Sequence, residues 1–304
     1  IFRLRRSQSG NLREILEPCA PANVGGAESF MHIELTRQSA DRLSGIQADL
    51  EAVLDDIRAA VEDWRYMREK MAEVVIELES QPATSFTVED VNEVRDFLHW
   101  AHANNFTFLG FREYLYKKSG GKMVVRINRQ SGLGVLRDPD ITVFRELRAF
   151  VKQSDLLMVT KTNQRSTIHR PVPMDAIGIR RLDSKGKVIG QYLFVGLLTA
   201  SAYHSSPREI PVLRRKVLKI FERAGMPPNS HDGKALFNVL ETFPRDELFQ
   251  SSEEHLFLTS LGIMNLQQRP RVALFVRRDE YERFISCLVY FPRALFSTDL
   301  RRRV

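Results

Sequence analysis

One loop concentrates the polar side chains that could bind a small charged ligand. Residues 161–170 read KTNQRSTIHR, and an aspartate follows five residues later. Ammonium and guanidinium groups bind carboxylates and phosphates through charge-assisted hydrogen bonds, and an arginine can make two such bonds at once. We predict an effector site whose candidate residues are Lys161, Arg165, His169, Arg170 and Asp175. The cations would hold a carboxylate and Asp175 would face an ammonium group. The alternative is a loop that only pins neighbouring elements together.

Two other groupings contain residue types that are used in metal binding and catalysis. His99 and His102 stand three residues apart on a predicted helix, but no cysteine or paired carboxylate lies near them in the sequence. Ser230, His231 and Asp232 are adjacent, whereas a catalytic triad draws its residues from distant segments. We therefore predict packing or surface histidines, a helix start at Ser230, and neither a catalytic residue nor a metal site.

The glycine loops that bind nucleotides are missing from the sequence. Gly132 and Gly134 lack the third glycine of the dinucleotide fingerprint, and they do not stand between a strand and a helix. The pattern GxxxxGK[ST] does not occur either. We predict that this chain contains no cofactor-binding residue and has no dehydrogenase activity by itself.

The charge balance is basic but mixed. The 304 residues include 45 Lys or Arg and 38 Asp or Glu, which gives a net charge of +7. Because the two signs are interspersed, we predict a solvated surface and no nucleic-acid partner. The basic residues 208–219 leave two alternatives open, a DNA-reading helical module and a domain or subunit interface.

The cysteines, the hydropathy and the chain ends indicate a piece of a larger cytoplasmic protein. Cys19 and Cys287 are the two cysteines, and their spacing matches neither a CxxC motif nor a disulfide framework, which predicts reduced thiols. No stretch approaches the roughly 20 apolar residues of a membrane helix. The sequence opens on a strand-like run at Ile1 and closes where a helix capped at residues 297–299 would begin.

The first part of the chain reads as strands followed by one long helix. Residues 1–16 predict a hairpin that turns at residues 9–11, and residues 29–36 alternate like a half-buried strand. Apolar residues at spacings of three and four then predict an amphipathic helix with Ser39 as its cap. Its stripe runs from Leu43 to Trp64 and continues less cleanly to Leu78.

The middle of the chain reads as a helix followed by several strands. Thr87 predicts a cap, and residues 104–105 end that helix. Aromatic and β-branched residues predict a hairpin over 106–116 and 123–127, a short helix near 144–151, and strands over 156–161, 175–182 and 188–198.

The last part reads as helices followed by a strand pair. We predict that Pro207 opens a helix, that Gly225 ends it, and that Ser230 or Asp232 caps the next. A further helix is predicted over residues 252–266, and a strand pair over 271–278 and 284–291.

Four sequence segments, taken in their order along the chain, resemble the N-terminal region of the large bacterial NAD-dependent glutamate dehydrogenases. They are NNFTFLGFREY at 104–114, SSPREIPVLRRK at 205–216, SHDGKAL at 230–236 with ETFPRDELF at 241–249, and RPRV at 269–272 leading to FPR at 291–293. The resemblance implies a much longer polypeptide that oxidises L-glutamate to 2-oxoglutarate and ammonia, with NAD bound by a catalytic domain downstream. It also implies ACT-type domains, which are small βαββαβ sandwiches that often sense amino acids.

The resemblance and the element pattern together give the predicted organisation. We expect an α+β fold with ACT-like (ferredoxin-like βαββαβ) antiparallel sheets backed by helices, and a helical segment between domains. The predicted parts are the end of a first ACT-like domain (1–81), a second α+β domain that is ACT-like or PAS/GAF-like (82–206), a helical segment (207–268) and the start of a further ACT-like domain (269–304).

The expected role is a non-catalytic regulatory and assembly segment. Its partners would be the downstream catalytic domain of the same polypeptide, further copies in a homo-oligomer and an amino-acid effector, with no membrane. Two other functions remain open at this point. One is a stand-alone amino-acid-sensing module, and the other is a nucleic-acid-binding regulator, whose affinity would fall steeply with salt.

Overall fold

The chain forms two compact units, Ile1–Glu51 and Ala52–Val304. The structure is a computed structural model, and it describes residues 2–17, 25–80, 86–120, 122–138, 150–151, 155–268 and 271–293. The predicted short helix near 144–151 falls almost wholly outside the described residues. The predicted helix after residue 297 and the thiol of Cys19 also lie outside them.

The first unit contains a small antiparallel sheet. Its strands are β1 (Phe2–Arg6), β2 (Leu12–Ile15) and β3 (Gly26–Glu28), in the order β2-β1-β3. The predicted hairpin is therefore confirmed, and Gly10 with φ +82° supplies the left-handed residue of its turn. Ion pairs from Arg5 to Glu14 and from Arg6 to Glu28 bridge the strands.

The predicted strand over residues 29–36 is wrong. The structure has no strand there, and the side chains of Phe30, Met31, Ile33 and Leu35 are all more than half exposed. Period-two alternation makes a strand only when a neighbouring strand pairs with it and a core covers its apolar face. The described part of the chain provides neither for this segment.

One helix, α1, extends over Ala40–Ser80. The predicted helix is confirmed, but the buried part of its stripe lies later than expected. Leu43, Leu50 and Trp64 are exposed, whereas the residues from Met67 to Leu78 on one face are buried. Among these are Met67 and Met71, which have no exposed surface and belong to the core of the second unit.

The second unit is built on an antiparallel sheet. Helix α2 (Val88–Trp100) is capped by Thr87, whose hydroxyl accepts the Asp90 N–H at 3.1 Å, and a π-helical turn (Ala101–Asn105) follows it. Asn104 has φ +66° at the end of that turn, which confirms the predicted helix end. The strand order is β5-β4-β9-β8-β7, with β6 paired to β4. The strands are β4 (Phe106–Ser119), β5 (Lys122–Ile127), β6 (Leu133–Gly134), β7 (Leu157–Arg165), β8 (Pro173–Leu182) and β9 (Val188–Leu198).

In the described part of the chain, five helices follow the sheet. They are α3 (Ala200–His204), α4 (Leu213–Ala224), α5 (His231–Thr242), α6 (Arg245–Gln250) and α7 (Glu253–Gln268). The predicted ends at Gly225 (φ +62°) and Ser230, which accepts the Gly233 N–H at 3.0 Å, are confirmed. Helix α3 was not predicted.

The prediction that Pro207 opens a helix is wrong. Turns occupy the residues up to Val212, and α4 begins only at Leu213. Val212 has φ +73°, which is unusual for a β-branched residue, and its N–H donates to Glu93 Oε1 at 2.6 Å. A carboxylate from another helix therefore sets where α4 starts.

A second hairpin, β10 (Ala273–Arg278) with β11 (Ile285–Tyr290), confirms the last predicted strand pair. The described residues thus form an α+β fold with antiparallel sheets and helices. None of the described helices combines the length and the apolar character that a transmembrane span requires.

Candidate functional site

The predicted effector loop is the connection between two sheet strands. Lys161 and Arg165 lie on β7, Asp175 lies on β8, and His169 and Arg170 lie in the turn between them. Strand β7 is at the edge of the sheet, and its Lys161 reaches Asp246 on α6. The structure brings three of the five predicted residues together and leaves two apart.

Lys161 and Asp175 form the centre of a buried polar cluster. The Lys161 ammonium lies 2.7 Å from Asp175 Oδ1 and 3.2 Å from Asp246 Oδ1 on α6. It also donates to the Tyr203 hydroxyl on α3 at 3.2 Å, and that hydroxyl donates to Asp246 at 3.0 Å. The second oxygen of Asp175 accepts the Leu198 N–H at 2.8 Å. We call these four side chains, Lys161, Asp175, Tyr203 and Asp246, the sheet cluster.

Arg170 contacts the sheet cluster through the ring of Tyr203. Its guanidinium lies 5.4 Å from the centre of the Tyr203 ring and donates to the Leu198 carbonyl at 2.8 Å. Arg165 points elsewhere and donates to the Pro171 carbonyl at 2.9 Å, within its own turn. His169 is exposed, with φ +64°.

In the sheet cluster one ammonium faces two carboxylates, and burial raises the pKa of Asp175 although Lys161 acts to lower it. Burial acts to lower the pKa of Lys161, but the carboxylates of Asp175 and Asp246 outweigh it, and the net pKa lies above the ordinary value of 10.5. Burial, with the same two carboxylates, raises the pKa of Tyr203 to about 12. Lys161 is therefore a cation at any physiological pH, and Asp175 faces the ammonium of this lysine.

A cavity of about 1,020 Å³ lies beside this cluster, and no sequence pattern predicted it. Its walls come from β7, from α2 and α4, from the α6–α7 junction, and from β10 with the turn after it. Its size is in the range that accommodates small-molecule ligands. Charged residues of both signs line the cavity, and Lys216 is one of them. Gln250, Ser251 and His255 also line it.

Lys216 is a partly buried cation that has no carboxylate in contact among the described residues. Its ammonium donates to the carbonyls of Leu248 (3.0 Å), Phe249 (2.8 Å) and Ser251 (3.0 Å), which lie at the end of α6. Burial, only partly offset by more distant acids, lowers the pKa of Lys216 to about 8. The three carbonyls use its donors without neutralising its charge.

Two buried polar atoms at the α6–α7 junction have no hydrogen-bond partner among the described residues. They are Ser251 Oγ, on a residue that is only 2% exposed, and Gln250 Oε1. The amide nitrogen of Gln250 donates to the Asp246 carbonyl at 3.1 Å, which fixes the orientation of that side chain. Buried polar atoms without partners are rare and costly, so these two require an explanation.

Two arginines, Arg277 and Arg283, attach the β10–β11 hairpin to the rest of the second unit. Arg277 donates to Glu247 on α6 through Nε (2.7 Å) and Nη2 (3.0 Å). Arg283 pairs with Asp279 and donates to Thr160 Oγ1 on β7 at 2.9 Å and to the Lys161 carbonyl. The hairpin therefore contacts both the helices and the strand that carries the sheet cluster.

The histidines and the Ser230–Asp232 segment considered in the sequence analysis lie at helix turns. His102 lies in the π-helical turn, where its carbonyl accepts a hydrogen bond from Arg68 at 3.1 Å. Ser230 is the cap of α5, with His231 and Asp232 in the first turn. Within the described residues, no three or more His, Cys, Asp or Glu side chains are grouped as a metal site would require. Cys287 is a free, exposed thiol.

Family models identify two segments of the chain. Residues 210–269 match the glutamate dehydrogenase helical motif 1, and residues 273–304 match the glutamate dehydrogenase ACT2 domain. These are the stretches that contain helices α4–α7 and the β10–β11 hairpin.

Whole-length similarity extends the match beyond these segments. An NAD-specific glutamate dehydrogenase of Halomonas elongata is 36% identical over 100% of this chain, and that of Pseudomonas aeruginosa is 35% identical over 100%. The Mycobacterium tuberculosis protein of the same name is 28% identical over 99%. This chain is homologous to the N-terminal region of the NAD-specific glutamate dehydrogenases. It spans 19%, 19% and 18% of the length of these three relatives, respectively.

Proposed function

We propose that this chain is a non-catalytic regulatory and assembly segment of an NAD-specific glutamate dehydrogenase. The parent reaction would convert L-glutamate, NAD and water to 2-oxoglutarate, ammonia and NADH. The observation that carries the proposal is the similarity over the whole chain to relatives that are about five times longer. The catalytic region and its NAD site would lie elsewhere in the same polypeptide, in the cytoplasm.

The finer fold is part of this proposal. The ACT2 match supports an ACT-like domain that begins near residue 269. In the central sheet, β7, β8 and β9 follow one another as hairpins with no helix between them. Because a βαββαβ unit separates strands by helices, this order supports the PAS/GAF-like alternative for residues 82–206.

The attachment of the β10–β11 hairpin supports a regulatory role. Arg277 pairs with Glu247 on α6, and Arg283 donates hydrogen bonds to Thr160 and to the Lys161 carbonyl on β7. Both elements also carry residues of the sheet cluster. A ligand that shifts one of these elements would strain these contacts, and a buried ion pair loses several kcal/mol when only one partner remains. Effector binding and subunit contacts would be coupled through this route.

Activity measurements test the catalytic part of the proposal. The purified chain with L-glutamate and NAD should form no NADH above background, while the full-length protein should form it. Adding common amino acids to the full-length enzyme should change its rate. Turnover by the chain alone would overturn the proposal.

Calorimetric titration with the common amino acids tests the predicted effector residues. If an amino-acid carboxylate binds at the β7–β8 turn, Arg165→Ala or Arg170→Ala should weaken binding by about 2–5 kcal/mol. Arg129→Ala, at an exposed turn position between β5 and β6, is a control. Binding no tighter than millimolar, or unchanged binding by both variants, would make this turn structural and leave assembly as the remaining role.

A further inference from the structure

We propose that helix α1 carries a docking surface for a second copy of this chain, and that the two copies pair their α1 helices antiparallel. The surface is a stripe of apolar side chains on α1, which we call the α1 seam. It consists of Leu43, Leu50, Leu54, Ile57, Val61 and Trp64. The proposal rests on the assembly part of the proposed function and assigns the surface through which the copies assemble.

The spacing of the α1 seam is that of a coiled coil. From Leu43 to Trp64 the positions follow alternating steps of four and three residues, and Gln47 is the one polar residue among them. Such a repeat keeps one stripe facing a partner helix when two helices supercoil, and a single polar residue in the stripe sets their register. The repeat covers three heptads of a helix that extends from Ala40 to Ser80.

The α1 seam is separate from the face that α1 packs against its own core. Four seam residues are strongly exposed, namely Leu43 (52%), Leu50 (45%), Val61 (70%) and Trp64 (43%). Ala60, next to Val61, is only 5% exposed, because successive residues of a helix point about 100° apart. Ile57 lies at the border of the two faces and also contacts the core. The described residues therefore cover one apolar face of α1 and leave most of the other open.

The charges beside the α1 seam favour a second copy as its occupant. Glu51 and Arg58 flank the same side of the seam, seven residues apart. When two α1 helices pair antiparallel with Leu54 opposite Ile57, Glu51 of each copy lies beside Arg58 of the other. Charges at such flanking positions form ion pairs between helices and set the choice and direction of the partner. The surface is thus complementary to itself, as a two-fold symmetric interface requires.

A parallel pairing of the same helices lacks this complementarity. The flanking contacts of parallel helices connect residues five positions apart. Glu51 would then lie beside Ile46 of the other copy, and Arg58 would lie beside Val53. Each charge would face an apolar side chain and gain no counter-charge, so the sequence favours the antiparallel direction.

Both flanking charges are available for new contacts. In the single chain, Glu51 accepts a hydrogen bond from Gln47 at 2.9 Å, and Arg58 pairs with Asp55 at 2.7 Å. These contacts lie on the exposed surface of α1, where ion pairs and hydrogen bonds contribute little to stability. Exchanging them for contacts to a second copy therefore costs little.

Sedimentation velocity of the 304-residue chain tests the surface. The wild type should pass from monomer to dimer between about 1 and 100 µM. Val61→Glu places a charge in the α1 seam and should raise the dimer dissociation constant at least about tenfold. Because Val61 is exposed in the single chain, the variant monomer should keep the thermal midpoint of the wild-type monomer. Ile76→Glu adds the same charge at an exposed α1 residue outside the seam and should dimerise like the wild type.

Exchanging the two flanking charges tests the antiparallel direction. Glu51→Arg alone, or Arg58→Glu alone, places like charges opposite each other at both ends of the contact and should weaken dimerisation about fivefold. The double variant Glu51→Arg/Arg58→Glu restores opposite charges and should dimerise within about twofold of the wild type. A parallel dimer would show no such recovery.

The outcomes separate this surface from the proposed function. A wild-type chain that stays monomeric at about 100 µM would overturn the proposal and leave another part of the longer polypeptide as the occupant of this face. Dimers that persist in Val61→Glu would also overturn it, because they form elsewhere. If the double charge variant does not recover dimerisation, the antiparallel arrangement is wrong. The NADH assay tests the non-catalytic role independently of all these results.

Discussion

Two neighbouring regions of the second unit bury a lysine in opposite ways. In the sheet cluster, Lys161 meets two carboxylates, and every polar group there has a partner. At the α6–α7 junction, Lys216 meets only carbonyls among the described residues, and Ser251 and Gln250 of the same junction each have an unpartnered atom there. In the first region the lysine is ion-paired, whereas in the second it is held by carbonyl oxygens alone among the described residues.

The largest expected effect follows from removing the cation of the sheet cluster. Lys161→Met leaves Asp175, whose side chain is 4% exposed, without its ammonium partner. We expect the free energy of unfolding to fall by about 3–5 kcal/mol in urea denaturation. The double variant Lys161→Met/Asp175→Asn should recover part of this loss. A single variant within about 1 kcal/mol of wild type would mean that the cluster does not stabilise the fold.

The pH dependence should separate the two lysines. Lys216 has a folded pKa of about 8, below its ordinary value of 10.5, so the unfolded chain binds more protons between these values. The stability of wild type relative to Lys216→Met should therefore rise with pH over this window, by at most about 1.4 kcal/mol per pH unit.

Lys161 should show the opposite sign. Its folded pKa is raised, so its contribution is fully present below pH 10.5 and is lost as the pH rises through the folded value. Urea denaturation from pH 7 to pH 10, on wild type and both Met variants, should show the Lys216 trend and a constant Lys161 contribution, because the loss of the Lys161 contribution begins only above pH 10.5. Parallel curves for the two variants would contradict the distinction between the regions.

A smaller effect is expected from the hydroxyl that links Lys161 to Asp246. Tyr203→Phe removes one hydrogen bond accepted and one donated, and it should cost about 1 kcal/mol. Tyr66→Phe, at an exposed position on α1, is the control and should be neutral. Equal midpoints for the two variants in thermal unfolding would show that the Tyr203 hydroxyl contributes nothing.

The smallest effect concerns two buried serines. Ser251→Ala and Ser260→Ala each remove a buried hydroxyl that has no partner among the described residues. Both should therefore be neutral or stabilising by up to about 1 kcal/mol. A clear loss of stability in either variant would indicate that its hydroxyl has a partner in the free protein.

The sequence predicts elements well where a local signal decides them. The Thr87 and Ser230 caps, the Gly225 helix end and the paired strands depend on residues close in sequence, and the structure confirms them. The strand expected at 29–36 and the helix start expected at Pro207 fail, because a pairing partner and a distant carboxylate decide these. The periodicity of apolar residues contains no information about a strand's pairing partner or about a carboxylate on another helix.

The candidate site is less predictable for the same reason. The density of charge at residues 161–170 was visible, but the partners of Lys161 include Tyr203 and Asp246, which come from two helices further along the chain. Lys216 reads as one more cation on a basic helix, and Ser251 as part of a helix start. Only the fold places them together at a cavity and shows which atoms have no partner.

The central sheet also imposes an order on folding. Strand β4 pairs with β9, so that Phe106 lies opposite Leu198, whereas β8 and β9 form a local hairpin. Loop closure over so long a stretch is slow, and the β8–β9 hairpin should form before the β4–β9 pairing does. During synthesis, one edge of the aromatic-rich β4 remains unpaired until β9 has emerged, which makes this interval the most exposed to aggregation. Pulse-labelled hydrogen exchange should show protection at β8–β9 earlier than across β4–β9, and the reverse order would exclude this route.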